Sequence, residues 1–164
     1  MTKLNKAKYY AEKQVENHAV YIWSGQGEKL RKVSAPKVAE METSSENAAR
    51  DMKFIYNHLK TFNRNTRVFD CSGLICCVLI YAGVLSHGSD YTAKDLYIKW
   101  DPVDCSALKL QPGDLVFKTD GNGVINHVGF VTTGLDVIEA KGRDYGIIRG
   151  PFSSKWELAC RPIY

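Results

Sequence analysis

Apolar positions near the start of the chain recur at helical steps. Leu4, Ala7, Ala11 and Val15 stand three and four residues apart with lysines between them, which predicts a first helix over residues 3–18 with its lysines turned outward. The period returns at Ala48, Met52, Ile55, Leu59 and Phe62. Thr43-Ser44-Ser45-Glu46 precedes this run with the spacing of a capping box, Thr43 at the cap, so a second helix is predicted over 44–62. Leu74, Ile75, Val78, Leu79 and Ala82 mark a third, which starts near Cys71 and is stopped or bent at Gly83. Thr92-Ala93-Lys94-Asp95 opens a short further helix with a second capping box. Between these elements, residues 21–27 read as a turn, because Gly25 and Gly27 flank Gln26. Residues 28–43 show no clean period, and Pro36 argues against a continuous helix there. Residues 63–67 form a polar connector.

From residue 108 the pattern shortens. Pro112-Gly113-Asp114 is a turn into a short strand at Leu115-Val116-Phe117, and Gly121-Asn122-Gly123 is the next turn. Residues 127–133 are rich in β-branched side chains and predict a strand, followed by strands at 137–140, past a tight turn at Gly134, and at 147–149. Residues 156–164 supply a last strand, which Pro162 assigns to an edge. Helices first and strands afterwards predict an α+β fold rather than a regular alternation of the two. At 164 residues without an internal repeat, the chain reads as one domain, 1–164.

Composition narrows the classes further. With 45% hydrophobic and 24% charged residues the chain is neither disordered, collagen-like nor a coiled coil. Its best apolar run, 74–85, is shorter than the roughly 20 residues a membrane helix needs, so no membrane segment is expected. The net charge of +4 is uneven: residues 1–67 hold 13 basic and 7 acidic residues, and 68–164 hold 9 and 11. A basic front half suits an anionic partner, whether nucleic acid, lipid or a cell-wall polymer. The absence of a dense Lys/Arg block, zinc-finger spacing and RNA-binding aromatic signature argues against nucleic acid. Five cysteines, an odd number with Cys76 and Cys77 adjacent, fit a reduced protein made in the cytoplasm. Residues 1–10 carry lysines with no apolar run behind them, so no secretory signal is read. A role outside the cell then requires another route out, or a signal already removed.

Three residues are candidates for chemistry. Cys71 falls at the predicted start of a helix, where free backbone N–H groups and the helix dipole favour a thiolate; a buried structural cysteine is the plain alternative. The dipole contributes only about 0.3–1 kcal/mol, so an imidazole must do much of the activation. His127, at the front of a β-strand, is a workable base for it, against the alternative of a surface histidine; His18, His58 and His87 sit in weaker contexts. Glu139, on the following strand between Ile138 and Ala140, is placed to orient the second ring nitrogen, unless strand alternation turns it to water. Asp70 and Ser72 make the helix start polar. A zinc site is disfavoured, since Cys71, Cys76 and Cys77 lack the paired spacing and the last two point about 100° apart on a helix. Asp101, Asp104 and Asp114 lack the spacing of a calcium loop.

Four segments carry a resemblance. Phe69-Asp70-Cys71-Ser72-Gly73-Leu74 resembles the nucleophile motif of the NlpC/P60 cysteine peptidases, and Asn126-His127-Val128-Gly129-Phe130 resembles their histidine motif. The run 110–117, Leu-Gln-Pro-Gly-Asp-Leu-Val-Phe, is similar to their turn into the central sheet. Tyr21-Ile22-Trp23-Ser24-Gly25 is similar to their upstream Tyr-x-Trp-Gly-Gly segment, with Ser24 in place of a glycine. The four occur in the family's order and span about residues 7–150.

The resemblance implies a papain-like fold, N-terminal helices packed on a central antiparallel sheet, with Cys71 as nucleophile, His127 as base and Glu139 as third residue. The family more often has histidine, asparagine or glutamine at that third position. Tyr21, Asp70 and Ser72 become oxyanion or substrate contacts, and residues 28–67 are expected to shape a groove. No cofactor or metal is required. The implied partner is bacterial peptidoglycan, cut at a stem-peptide amide. The D-γ-glutamyl–diamino-acid bond is preferred to the muramoyl–L-alanine bond. A wall-binding module without turnover and a peptidase of soluble γ-glutamyl peptides are the alternatives. A lysin of phage or mobile-element type, freed by a holin, fits the lack of a signal, as do a cytoplasmic recycling enzyme and a clipped secreted domain.

Overall fold

The computed structural model describes residues 1–164. Helix α1 (Lys3–Glu16) starts behind Thr2, whose hydroxyl accepts from the Asn5 N–H at 3.2 Å. The predicted turn at 21–27 is present but pinched between two short strands, β1 (Val20–Tyr21) and β2 (Gln26–Lys29). Pro36 begins a helix instead of preventing one. It lies in the first turn of α2 (Ala35–Met41), where its missing N–H has no partner to lose, and Ser34 caps that turn. Helix α3 (Ser45–Asn57) is capped by Ser44, one residue later than predicted, and ends before Phe62.

The polar connector leads into β3 (Arg67–Phe69), then α4 (Cys71–Tyr81), which ends before Gly83 at φ +72°. Helix α5 (Ala93–Lys99) has the complete capping box at Thr92 and Asp95. The strands that follow are β4 (Pro102–Val103), β5 (Leu115–Thr119), β6 (Ile125–Val131), β7 (Asp136–Gly142), β8 (Gly146–Pro151) and β9 (Leu158–Cys160). The last six strands form one antiparallel sheet in the order β4-β9-β5-β6-β7-β8. Strand β9 is therefore internal, contrary to the edge position read from Pro162, which lies beyond the strand; Pro102 of β4 occupies the edge. A second, three-stranded sheet has the order β1-β3-β2, with β1 parallel and β2 antiparallel to β3.

The architecture is α+β, with the N-terminal helices on one face of the antiparallel sheet. Alternation along the strands sends Leu115, Phe117, Val128, Phe130, Ile138 and Ala140 into the main core beside Ala7 and Ala11 of α1 and Leu74, Ile75, Val78 and Leu79 of α4. Those four α4 side chains are fully buried, each worth about 1.5–3 kcal/mol, so the helix that presents Cys71 is firmly seated. The other sheet face carries Val116, Val131, Val137 and Ala159 around Trp156. No helix is long and apolar enough to cross a membrane.

Candidate active site

Asp70 sets the site's first wall. It caps α4 by accepting from the Gly73 N–H at 2.7 Å and the Ser72 hydroxyl at 3.3 Å. Its own N–H donates to Gly25 O at 3.0 Å, which ties the helix start to the turn between β1 and β2. Cys71, the first helical residue, opens onto a groove of about 390 Å³. Trp23, Ser24 and Gln26 line one side with Asp70 and Ser72; Asp90 to Ala93, Ile125 and Asn126 line the rest. Gln26 Nε2 donates to Asp90 Oδ1 at 3.1 Å across this groove, whose charged lining residues, Asp70 and Asp90, are both acidic.

The Cys71 thiol meets β6 on both sides of His127. Its sulfur lies 4.0 Å from Asn126 O and also receives the Val128 N–H. The His127 ring turns Nε2 to Glu139 Oε2 at 2.6 Å. With that proton on Nε2, Nδ1 is an acceptor, the tautomer needed to take a proton from a thiol. The structure thus brings Cys71, Asp70 and Ser72 together at the groove and pairs His127 with Glu139 behind it. The thiol's hydrogen bond goes to the strand backbone rather than to the imidazole. Glu139 does not face water, being 12% exposed. Tyr21 does not line the groove, being buried against the main core, but its phenol lies near enough to Cys71 and Asp70 for their charges to add to burial in raising its pKa; Trp23, 48% exposed, is the aromatic ring of this segment that reaches the groove.

Electrostatics decide the resting state of the sulfur. Burial, followed by the charge of Asp70, pushes the Cys71 thiol up to about 11, although the N–H groups of Ser72, Val128 and Cys71 itself act in the opposite direction. The thiolate expected from the helix start alone is outweighed, and Cys71 rests as a thiol that needs a base. Burial also pushes Glu139 upward, but hydrogen bonding and charge from His127 and Lys118 win and hold it below the usual carboxylate range.

Sequence reasoning missed the residues around this pair. Lys118, the cross-strand partner of His127, donates to Glu139 Oε2 at 3.2 Å, and Trp156 stacks on the His127 ring at 5.7 Å. Gly129 makes room for this, since a Cβ there would lie 2.8 Å from the Trp156 ring and 2.5 Å from Val137 Cγ1. The signal available was the two-residue alternation, which puts His127 and Gly129 on the same face.

Residues 28–67 do not line the groove; they back it. The Glu42 carboxylate accepts from the Trp23 N–H at 2.9 Å, and Ser24 Oγ donates to Met41 O at 3.3 Å. Arg143 Nε donates to Glu42 Oε1 at 3.0 Å and lies 4.0 Å from Asp51 Oδ1. Burial drives Glu42 upward but is overcome by its hydrogen bonds, first from Arg143, and it sits below the usual range. Asp51, fully buried, is pushed up to about 8 by burial and by Glu42. As a carboxylate it finds no donor; protonated, it donates to Glu42. Because its affinity for the proton is higher folded than unfolded, its contribution to stability is complete below about pH 4 and is lost as pH rises through about 8. Urea unfolding between pH 5 and 8.5 should show the parent losing stability relative to Asp51→Asn, whose side chain stays neutral. Parallel curves for the two proteins would refute the shared proton.

Comparison with known proteins bears on the family and the fold. The model of the NlpC/P60 family matches residues 57–160, well over half of the chain. Among solved structures, NlpC2 from Trichomonas vaginalis superposes with a TM-score of 0.64 at 17% identity, over 98% of this chain and 47% of that one. The peptidoglycan hydrolase RipB from Mycobacterium tuberculosis gives 0.63 at 20% identity, over 99% and 66%. RipD from the same organism, described as a non-catalytic NlpC/p60 domain protein adapted to peptidoglycan binding, gives 0.63 at 17%, over 98% of both chains. The chain thus spans about half the length of NlpC2 and two thirds that of RipB. At these identities the likeness is one of fold. No curated protein matches the chain in sequence.

Proposed function

The chain belongs to the NlpC/P60 family, and from that membership and the arrangement around Cys71 we propose that it is a cysteine peptidase of peptidoglycan stem peptides. The carrying observation is the His127–Glu139 pair at 2.6 Å on the strand whose Asn126 carbonyl meets the Cys71 sulfur at 4.0 Å. Nδ1 of His127 takes the thiol proton, and the thiolate attacks the scissile carbonyl. The N–H groups of Cys71 and Ser72 receive the oxyanion at the helix start. The imidazolium, held by Glu139, gives its proton to the departing amine. Water, deprotonated by the same imidazole, then releases the acid from the thioester and restores the thiol. This chain's own groups balance every proton in that sequence.

The bond preferred is D-γ-glutamyl–diamino acid. The groove's charged lining residues are Asp70 and Asp90, and a diamino acid brings a complementary ammonium group. The muramoyl–L-alanine amide lacks that match. The site of action is the cell wall, reached after a lysin-type release. A binding module without turnover is the competing reading, for which RipD is the precedent in fold; the intact Cys71, His127 and Glu139 set favours turnover. Digestion of purified Gram-positive sacculi separates these readings. New amino groups with unchanged reducing ends, and fragments cut after γ-D-glutamate, are expected. Complete free stem peptides would select the amidase, and binding without release of fragments would select the module. Rapid cleavage of soluble γ-glutamyl peptides with inert sacculi would move the enzyme away from the wall.

A further inference from the structure

The His127–Glu139 pair has a second cation on it. Lys118 stands opposite His127 in the β5–β6 register, and its Nζ lies 3.2 Å from the same Glu139 Oε2 that His127 Nε2 meets at 2.6 Å. Its Nζ also sits 4.1 Å from the centre of the Trp156 ring, the ring that stacks on His127. His127, Glu139 and Lys118 are 17%, 12% and 28% exposed at their side chains, so water screens them only partly.

Three charge-bearing positions matter here: an imidazole, a carboxylate and an ammonium meeting at one oxygen. A half-buried carboxylate against an imidazole favours the imidazolium, and an imidazolium cannot accept the thiol proton. An ammonium on the same oxygen offsets that bias. The other groups facing His127 do not replace it. Cys71 and Asp70, at the start of α4, bring a neutral thiol and a further negative charge. From the segment before β9, Trp156 presents an uncharged ring, and Glu157 is turned to the Thr119 N–H and hydroxyl at 3.0 and 2.8 Å.

We propose that Lys118 is a positioning residue that keeps His127 in its proton-accepting form by sharing Glu139 with it. This rests on the reading of His127 as the base, and it adds a residue that the NlpC/P60-like segments do not contain.

The test separates the two readings because one arm needs no substrate. In a Cys71→Ala background, the His127 ring protons are followed by NMR across pH, with Lys118 intact and as Lys118→Met. Methionine keeps an apolar stem against Trp156 and removes only the charge. The midpoint of the ring titration should rise by roughly one pH unit, a tenfold change in proton affinity, and return in Lys118→Arg. Lys118→Gln serves as a second uncharged replacement should the methionine variant not fold. With Cys71 present, the acid limb of kcat/KM on sacculi should move upward by the same amount. A midpoint shift without sacculus cleavage by any variant would uphold the Lys118 inference while rejecting the wall substrate. An unmoved midpoint, or the same shift in Lys118→Arg, would overturn the inference, because a purely packing role predicts one or the other.

Discussion

Cys71→Ala should release no measurable amino groups from sacculi, a loss of about 10⁴-fold or more, while folding like the parent. The size follows from the mechanism. Without the sulfur there is no acyl intermediate, and neither His127 nor the helix N–H groups can substitute for a missing nucleophile. Folding should survive because Cys71 is only partly buried and the hydrogen bond its thiol donates, to Asn126 O at 4.0 Å, is long; a stability change within about 1 kcal/mol is expected. Cys71→Ser should be nearly as inactive, since its alkoxide is harder to form in a site that already resists a thiolate. Iodoacetamide should modify Cys71 before Cys76, which is fully buried. Turnover by Cys71→Ala at the parent rate would dispose of the cysteine mechanism altogether.

The second large effect is structural. A Cβ on Gly73 would lie 2.1 Å from Gly25 O, 3.0 Å from Asp70 Oδ1 and 3.2 Å from Gln26 Cδ. The first of these is backbone and cannot swing aside. Alanine is the better helix former by about 1 kcal/mol, but the clash reverses that gain. Gly25 O also accepts from the Asp70 N–H at 3.0 Å, so pushing it away breaks the tie that seats the helix cap. Gly73→Ala should therefore cost about 2–3 kcal/mol net and suppress turnover further than stability alone explains, because Trp23 and Ser24 move away from Cys71. Gly121→Ala is the control: nothing lies within 4 Å of its Cβ position and its φ is not positive. Parent-like unfolding midpoints and rates in Gly73→Ala would show that the two segments are not held as tightly as described.

The helices were readable because their apolar spacing is local. The α4 pattern and the polar residues before it located Cys71 at a helix start without reference to the rest of the chain. Strands β1 and β3 were not readable, since two or three residues cannot display a period and their partners are distant, as in Val20 with Val68. Pro36 misled for a related reason. Proline opposes a helix interior but favours a first turn, and only Ser34, two residues earlier, signals which applies. At the site, residue type and order pointed to Cys71, His127 and Glu139, but register supplied their surroundings. Lys118 follows an apolar run and reads as a solvated strand end until it is known to pair with His127. Glu42, Asp51 and Arg143 are ordinary surface types in the sequence, and only tertiary packing makes them one buried cluster.

Strands β2 and β3 pair Lys29 with Arg67, so residues 30–66 leave the sheet and rejoin it at adjacent positions. A loop closed at its base can be lengthened at a cost that grows only logarithmically. Insertions at its exposed turns are accordingly tolerated with little effect on the sheet, whereas deletions are not, because Val38 of α2 and Ala48 of α3 share a buried cluster with Val20, Ile22 and Val68. It is also held at the 41–42 segment, where the Met41 carbonyl and the Glu42 carboxylate hold Ser24 and Trp23. A replacement that keeps this cluster but omits the buttress would keep the fold and the Cys71 thiol, and would leave the groove with an unsupported wall.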